Sequence, residues 1–525
     1  MRKSVLGLPH LAMCCVAAVV SASDANGAEE SLRAVFEYCQ GPGWSFGADG
    51  SPTTNAIIAA TIGSAGTEPR PDPDRFAFDK ATGGAGSDPG PFLEWIAEER
   101  SVPGESAFVV GWDSRGVFVL SERDSEIRCL KRFDVRDGTV ECLTPTGGPN
   151  DLLGPILLPE RGDAGMRLAG VRWRTERGTS NEWLDARMAA ADRQLFDLFP
   201  EARPEWIAPS PTDPLRWIVQ CRFADTPPIW ADVNAGEGTV RVLSRFREPL
   251  NPMVRRVFRW RASDGKAFCG IVSFPGTDGP FPLVVFPHGG PGAISDATFD
   301  ERVWALVDAG FMVLQPNYRG SAGFGKAFRL AGWGPDGLRR ALDDIHEAAI
   351  AVRDDGALPV APTKPVLLGG SWGGWCVLEE LALHPDFYAG GVSLFGAFDL
   401  PELVRSEAER FSADESHESR QELRALFRQF GDPSDAAAME RLDERSPARH
   451  ARAVTAPVIL FHNRDDTVIP FTQSKAMFAA LTNAECRAEF RIGAGGHGFS
   501  AAEESRIYGD LVKLFRSWID TSRGE

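Results

Sequence analysis

The stretch Leu367-Leu368-Gly369-Gly370-Ser371-Trp372-Gly373-Gly374 constrains the fold of this chain more than any other. An apolar strand-former runs into a serine flanked by glycines, and a helix-forming segment follows at once. A backbone that turns from strand to helix within a few residues brings its own atoms too close for a Cβ, and glycine tolerates that approach. The layout is G-x-S-x-G, in which the turn lifts the serine hydroxyl clear of a sheet. It predicts an α/β architecture with Ser371 exposed at a strand end. A pattern with three fixed positions also arises by chance, so its weight depends on partners elsewhere in the chain.

A serine on such a turn needs a base and an acid, in the chain order serine, acid, histidine. Downstream, Val458-Ile459-Leu460-Phe461 is a short apolar run of the kind that forms a buried parallel strand, and it leads into His462-Asn463-Arg464-Asp465-Asp466. Open α/β sheets place their sites just past the carboxyl ends of strands, and Asp465 stands there in the required order. A further strand, Ala488-Glu489-Phe490-Arg491-Ile492, runs into Gly493-Ala494-Gly495-Gly496-His497-Gly498-Phe499, so His497 is the expected base. Singly, the aspartates read equally well as solvated turn residues and His497 as a loop histidine; their order and placement favour the joint reading. His462, on the strand itself, reads as structural. His346, His384 and His450 have no chemistry-bearing residues beside them in sequence and read as surface or packing residues.

Charge developing on a carbonyl oxygen needs fixed N–H donors. The strand Pro282-Leu283-Val284-Val285-Phe286 ends in Pro287-His288-Gly289-Gly290-Pro291-Gly292. That H-G-G turn supplies one backbone N–H, from Gly290, and the residue after the serine, Trp372, supplies the other.

These residues, with Asn317-Tyr318-Arg319-Gly320-Ser321-Ala322-Gly323-Phe324-Gly325, Ser446-Pro447 and Asp465-Asp466-Thr467-Val468, resemble the catalytic domain of the prolyl oligopeptidase family of serine peptidases, its acylaminoacyl-peptidase-like branch above all. The resemblance covers the last 280 residues or so. It implies an α/β-hydrolase catalytic domain (a doubly wound, mostly parallel sheet) under a β-propeller, the first Asp of the pair as acid, and Trp372 and Val468 beside the substrate pocket. Two departures bear on specificity. Thr467 stands where some members carry a substrate-binding arginine, and the oxyanion loop has the H-G-G form rather than a tyrosine hydroxyl. Both weaken an expectation of strict proline specificity. No metal or organic cofactor is implied.

Segments 338–353, 374–383, 472–481 and 502–519 read as helices between the strands. An acidic helical insert at 400–444 is placed to roof the pocket, with Phe395 and Phe398 leading into it as candidate lining residues or plain core.

At 525 residues the chain is long enough for two domains, and its 43% hydrophobic and 25% charged content is that of a globular protein. The net charge of −17 argues against a nucleic-acid partner, since phosphates would be repelled. Met1-Arg2-Lys3, an apolar stretch at 5–20 and small residues up to Ala28 read as an export signal over 1–28, with a periplasmic or secreted location and no stable membrane span after its removal. Seven cysteines remain, and no disulfide follows from their spacing; an Asp137-Gly138 hairpin sets Phe133 rather than Cys129 opposite Cys142.

Residues 29–250 read as a mostly-β, reduced propeller-like domain, for which 40–45 residues per blade allow about five blades. Within it, Ser180 or Asn181 is expected to cap one helix, and 63–91 to be a Gly/Pro-rich loop or disordered. Residues 251–525 form the catalytic domain. The expected function is a serine peptidase acting on short peptides through an acyl-enzyme. The alternatives are a carboxylesterase using the same triad and a non-enzymatic binding protein on this fold.

Overall fold

The computed structural model describes residues 77–79, 81–82, 88–99, 107–145, 151–159, 166–210, 212–244, 251–413 and 417–522. The expected export signal and Cys39 lie outside them. The chain divides into two compact units, one ending at Glu248 and also taking in Gly323–Lys326, the other holding Pro249–Ala322 and Ala327–Glu525.

Among the described residues, the first unit holds helix α1 (Gly90–Glu99), followed by short antiparallel strands. β1 (Ala107–Trp112), β2 (Gly116–Ser121), β3 (Cys129–Asp134) and β4 (Val140–Cys142) form one meander; β5 (Asp151–Pro159), β6 (Met166–Thr175) and β7 (Gly178–Trp183) a second. Helix α2 (Ala186–Leu198) precedes β8 (Arg203–Pro209), β9 (Arg216–Arg222), β10 (Ile229–Asn234) and β11 (Thr239–Ser244), the third. Meanders of this kind are the sheets from which propeller blades are made. Among the described residues there are three.

Three local expectations are corrected. The last two residues of the stretch read as loop, Gly90 and Pro91, begin the helix Gly90–Glu99, which buries Phe92 and Ile96. The cap of α2 is Asp185, whose carboxylate accepts from the N–H groups of Arg187 and Met188, while Ser180 and Asn181 belong to β7. The hairpin turn after β3 spans four residues, closed by Gly138 N–H to Asp134 C=O at 2.9 Å, so Cys142 pairs with Lys131 rather than Phe133. Cys129 and Cys142 are both free thiols, as are Cys221, Cys376 and Cys486.

The second unit is one eight-stranded sheet. Its elements in chain order are β12 (Met253–Arg261), β13 (Ala267–Pro275), β14 (Leu283–Val285), α3 (Glu301–Asp308), β15 (Met312–Asn317), α4 (Lys326–Leu330), α5 (Gly334–Arg353), β16 (Val366–Gly370), α6 (Trp372–Leu383) and β17 (Gly390–Leu394). Then come the insert helices α7 (Leu400–Ser412), α8 (His417–Phe430) and α9 (Ala436–Asp443), followed by α10 (Pro447–His450), β18 (Val458–Asn463), α11 (Phe471–Asn483), β19 (Ala488–Gly493) and α12 (Ala501–Ser522). The strand order is β12-β13-β15-β14-β16-β17-β18-β19, antiparallel through the first hairpin and parallel from β15 onward.

Helices cover both faces, and side-chain alternation along each strand divides the core in two. Val285, Leu367 and Leu460 face the layer of α5, α6 and α11; Val284, Leu368 and Ile459 face α3 and α12. Burial on both sides is why these strands read as unbroken apolar runs. It also fixes where polar chemistry can go: at the strand ends. No described helix is long and apolar enough to cross a membrane.

Candidate active site

The carboxyl ends of β14, β16, β17, β18 and β19 are neighbours along one edge of the sheet, and each expected site residue follows one of them. Ser371 sits between β16 and α6 with φ 55° and ψ −123°, a backbone conformation unfavourable for any residue with a side chain. Its N–H donates to Leu394 C=O at 2.7 Å, and its own carbonyl accepts from Gly374 N–H at 2.9 Å, so the strain is held by bonds on both sides. The glycines are explained by distance. A Cβ on Gly369 would lie 2.2 Å from Gly373 O, and one on Gly373 would lie 2.4 Å from Pro287 O. The elbow thus packs backbone to backbone against itself and against the H-G-G loop.

That loop lies against the serine: a Cβ on Gly289 would stand 3.3 Å from Ser371 Cβ. Tyr318 fixes it from below, its hydroxyl donating to His288 C=O at 2.9 Å and its ring stacking on the imidazole at 4.4 Å. His288 Nε2 stands 2.7 Å from Ser321 Oγ. Burial pushes the His288 pKa down to about 4, so the ring is neutral at pH 7. Gly290 has φ 41° with open space around it, and Trp372 is the first residue of α6, where the N–H has no partner within the helix.

The acid is corrected. His497 Nδ1 lies 2.7 Å from Oδ2 of Asp466, not Asp465. Asp465 faces solvent, and its carboxylate accepts from Gly495 N–H at 2.9 Å, closing the base of the glycine loop. The Asp466 side chain is wholly buried. Its Oδ1 accepts from the N–H groups of Val468 (2.8 Å) and Ile469 (3.0 Å), and its Oδ2 also faces His462 Nε2 at 3.3 Å. Burial opposes its charge, yet the bonds from His462 and His497 outweigh burial and hold the carboxyl well below the usual carboxylate range. Two adjacent residues on one turn point opposite ways, and no residue type distinguishes them beforehand.

Two positioning residues escaped sequence reasoning. Asn463, at the end of β18 and buried, donates from Nδ2 to the carbonyls of Gly496 (3.0 Å) and Gly498 (2.6 Å), on either side of His497. His462, read as structural, is so, but its attachment is to the acid as well as to Ile469 C=O (2.9 Å) and Ser474 Oγ (2.7 Å). Neither carries a spacing signal, since both depend on how two strand ends meet.

The four expected pocket residues fare differently. Phe395, with φ 53°, packs its ring on His497 at 5.5 Å and on Phe499 at 4.7 Å. Val468 is half exposed beside the acid. Trp372 is buried between Trp375 (4.4 Å) and Phe430 of the insert (5.4 Å), so the insert reaches the elbow through this stack. Phe398 is corrected: it is fully buried in the core and offers no surface to a ligand.

The sequence profile of the prolyl oligopeptidase family matches residues 297–522. Dipeptidyl aminopeptidase BIII of Pseudoxanthomonas mexicana is 26% identical over 58% of this chain and 44% of its own length. Human acylamino-acid-releasing enzyme is 30% identical over 38% of this chain and 26% of its own. The chain thus aligns with less than half the length of these relatives. Among solved structures, a puromycin-hydrolysing peptidase of Mycobacterium tuberculosis superposes with a TM-score of 0.63 at 23% identity, covering 79% of this chain and 62% of that one. The acylaminoacyl peptidase of Pyrococcus horikoshii gives 0.59 at 18%, covering 78% and 63%. Structural likeness at this identity speaks for the fold alone, an N-terminal β domain and a C-terminal α/β-hydrolase domain. The sequence match, the elbow and the sheet order agree: the C-terminal unit of this chain is similar to the catalytic domain of the prolyl oligopeptidase family.

Proposed function

We propose that this protein is a serine peptidase that hydrolyses short peptides by acyl transfer, with Ser371 as nucleophile, His497 as general base and Asp466 as the acid behind it. The observation that carries the reading is the bond from the His497 ring to a buried, ionised Asp466. With its Nδ1–H committed to that carboxylate, the imidazole presents Nε2 as the lone pair. It takes the proton of Ser371 Oγ as the oxygen attacks the peptide carbonyl, then returns it to the leaving amine. Asp466 holds the tautomer and stabilises the imidazolium. The N–H groups of Gly290 and Trp372 hold the oxyanion, each donor worth about 10²–10³ in rate.

Trp372, Val468 and Phe395 form the wall that meets the substrate side chain. The relatives' names speak for peptide substrates; an export signal rests on residues 1–28 alone. The experiment is turnover of peptide amides by Ser371→Ala, expected to fall by about 10⁶. Retained labelling of that variant by a fluorophosphonate would refute the assignment. Esterase action with the same triad is separated by its outcome: ester turnover without amide cleavage.

A further inference from the structure

His346, Glu380 and His384 lie together at the end of α6 remote from Ser371. Glu380 and His384 are four residues apart and share one helix face; His384 caps the helix, its N–H bonded to Glu380 C=O. His346 comes from the neighbouring α5. One ligand-type atom from each lies within 4.8 Å of the others. Three buried atoms here have no hydrogen-bond partner: His346 Nδ1, Glu380 Oε1 and His384 Nε2. The Glu380 side chain is 0% exposed, so its orphaned oxygen forgoes water as well. One orphaned buried polar atom is costly, about 1–3 kcal/mol. Three such atoms in one cluster are a donor set lacking what they would donate to.

From this convergence we propose that His346, Glu380 and His384 form a binding site for one divalent transition-metal ion of the zinc class, which ties α5 to α6.

The donor chemistry selects the ion. Two imidazoles and a carboxylate suit zinc and its neighbours, whereas calcium and magnesium prefer sites made of oxygen alone. Zinc takes imidazole nitrogen and carboxylate oxygen at about 2.0–2.2 Å, leaving a fourth position for water. The His346 side chain is 16% exposed, which gives the ion a way in from solvent. The charges facing the cluster are the paired Arg339 and Asp343, and Arg353, which lies over the Phe387 ring.

Binding requires one rearrangement. The two imidazoles stack with centroids 3.4 Å apart and planes 4° from parallel. Their lone pairs lie in the ring planes, and parallel planes share no point. At least one ring must rotate about its χ angles, and the half-buried His384 has the freedom to do so.

The proposal concerns structure rather than turnover. At about 1.5 Å rise per residue, Glu380 lies roughly 14 Å along α6 from Ser371, too far for the ion to touch the reacting atoms.

The test uses the full chain without a histidine tag, stripped with a chelator and titrated with Zn²⁺ alone. Expected are one ion per chain, a dissociation constant on the order of 10⁻⁶ M or tighter, and a rise in melting temperature of several degrees. Co²⁺ in place of zinc should give d–d absorption without the thiolate charge-transfer band that cysteine ligation would add. His346→Gln with His384→Gln, which keeps much of the packing, should weaken binding at least 100-fold; His384→Ala alone should weaken it at least 10-fold. The proposal is overturned if the natural chain binds nothing tighter than about 10⁻⁴ M, if a thiolate band appears, or if the double variant keeps the affinity. The first two readouts need no variant, so a double variant that fails to fold leaves them decisive.

Discussion

Asp466→Asn is the most informative single change at the proposed triad. The carboxylate accepts three hydrogen bonds, from Val468 and Ile469 N–H on Oδ1 and from His497 on Oδ2, and His462 Nε2 lies 3.3 Å from Oδ2. An amide has one acceptor oxygen and one NH₂, so either orientation sets an NH₂ against a donor. With the NH₂ toward His497, the imidazole must move its proton to Nε2 to accept from it, and it then has no lone pair for Ser371. With the NH₂ toward the backbone, the turn holding residue 466 comes apart. The expected loss in kcat/KM on a peptide amide is about 10⁴, which is about 5 kcal/mol of transition-state stabilisation. Asp465→Asn is the control: its oxygen still accepts from Gly495 N–H, and activity should stay within about threefold. Kinetics of the two variants, with thermal melts to show that both are folded, decide the matter. The reasoning fails if Asp465→Asn loses as much as Asp466→Asn, or if folded Asp466→Asn keeps more than a tenth of the activity.

Asn463→Ala removes the two bonds that pin the loop around His497. It should lower kcat by about 10–100-fold with little change in KM, since the base is displaced and the pocket is not; steady-state kinetics check this. Gly373→Ala forces a methyl to within 2.4 Å of Pro287 O, pushing the H-G-G loop off the elbow. Amide turnover should fall about 10²–10³-fold, the loss expected when an oxyanion donor is misplaced. The pH dependence of stability follows from His288, whose folded pKa of about 4 lies below its usual 6.5. Its contribution is complete above pH 6.5 and is lost as pH falls toward 4, because the unfolded chain takes up the proton first. Between pH 7 and 5 this amounts to about 2 kcal/mol at most. Denaturant unfolding at the two pH values should show a smaller drop for His288→Phe, which keeps the stack on Tyr318.

Much of the site was legible because its constraints are local or follow from sheet geometry. A serine whose turn must pack backbone on backbone requires glycines at fixed offsets. Strands buried on both faces read as apolar runs, and their ends mark where polar groups can stand. Those facts are written in residue types, so Ser371, His497 and the H-G-G loop could be read in order along the chain. Phe398 shows the boundary of that reading: an aromatic at a strand end is apolar in either role, and only packing assigned it to the core.

The rest depends on direction and on elements far apart in sequence. Asp465 and Asp466 have the same side chain one residue apart, and the turn sends one to solvent and the other under the sheet edge. Asp185 displaced Ser180 as a helix cap because β7 continues past the serine. His346 and His384 carried no sign of chemistry until α5 and α6 packed side by side and gathered two imidazoles and a buried glutamate side chain into one cluster. Residue types and their spacing set which groups this chain possesses and at which strand ends they stand. Which way each points, and what it meets there, is decided by the packing of whole elements, because a side chain's neighbours in a folded core come mostly from distant sequence.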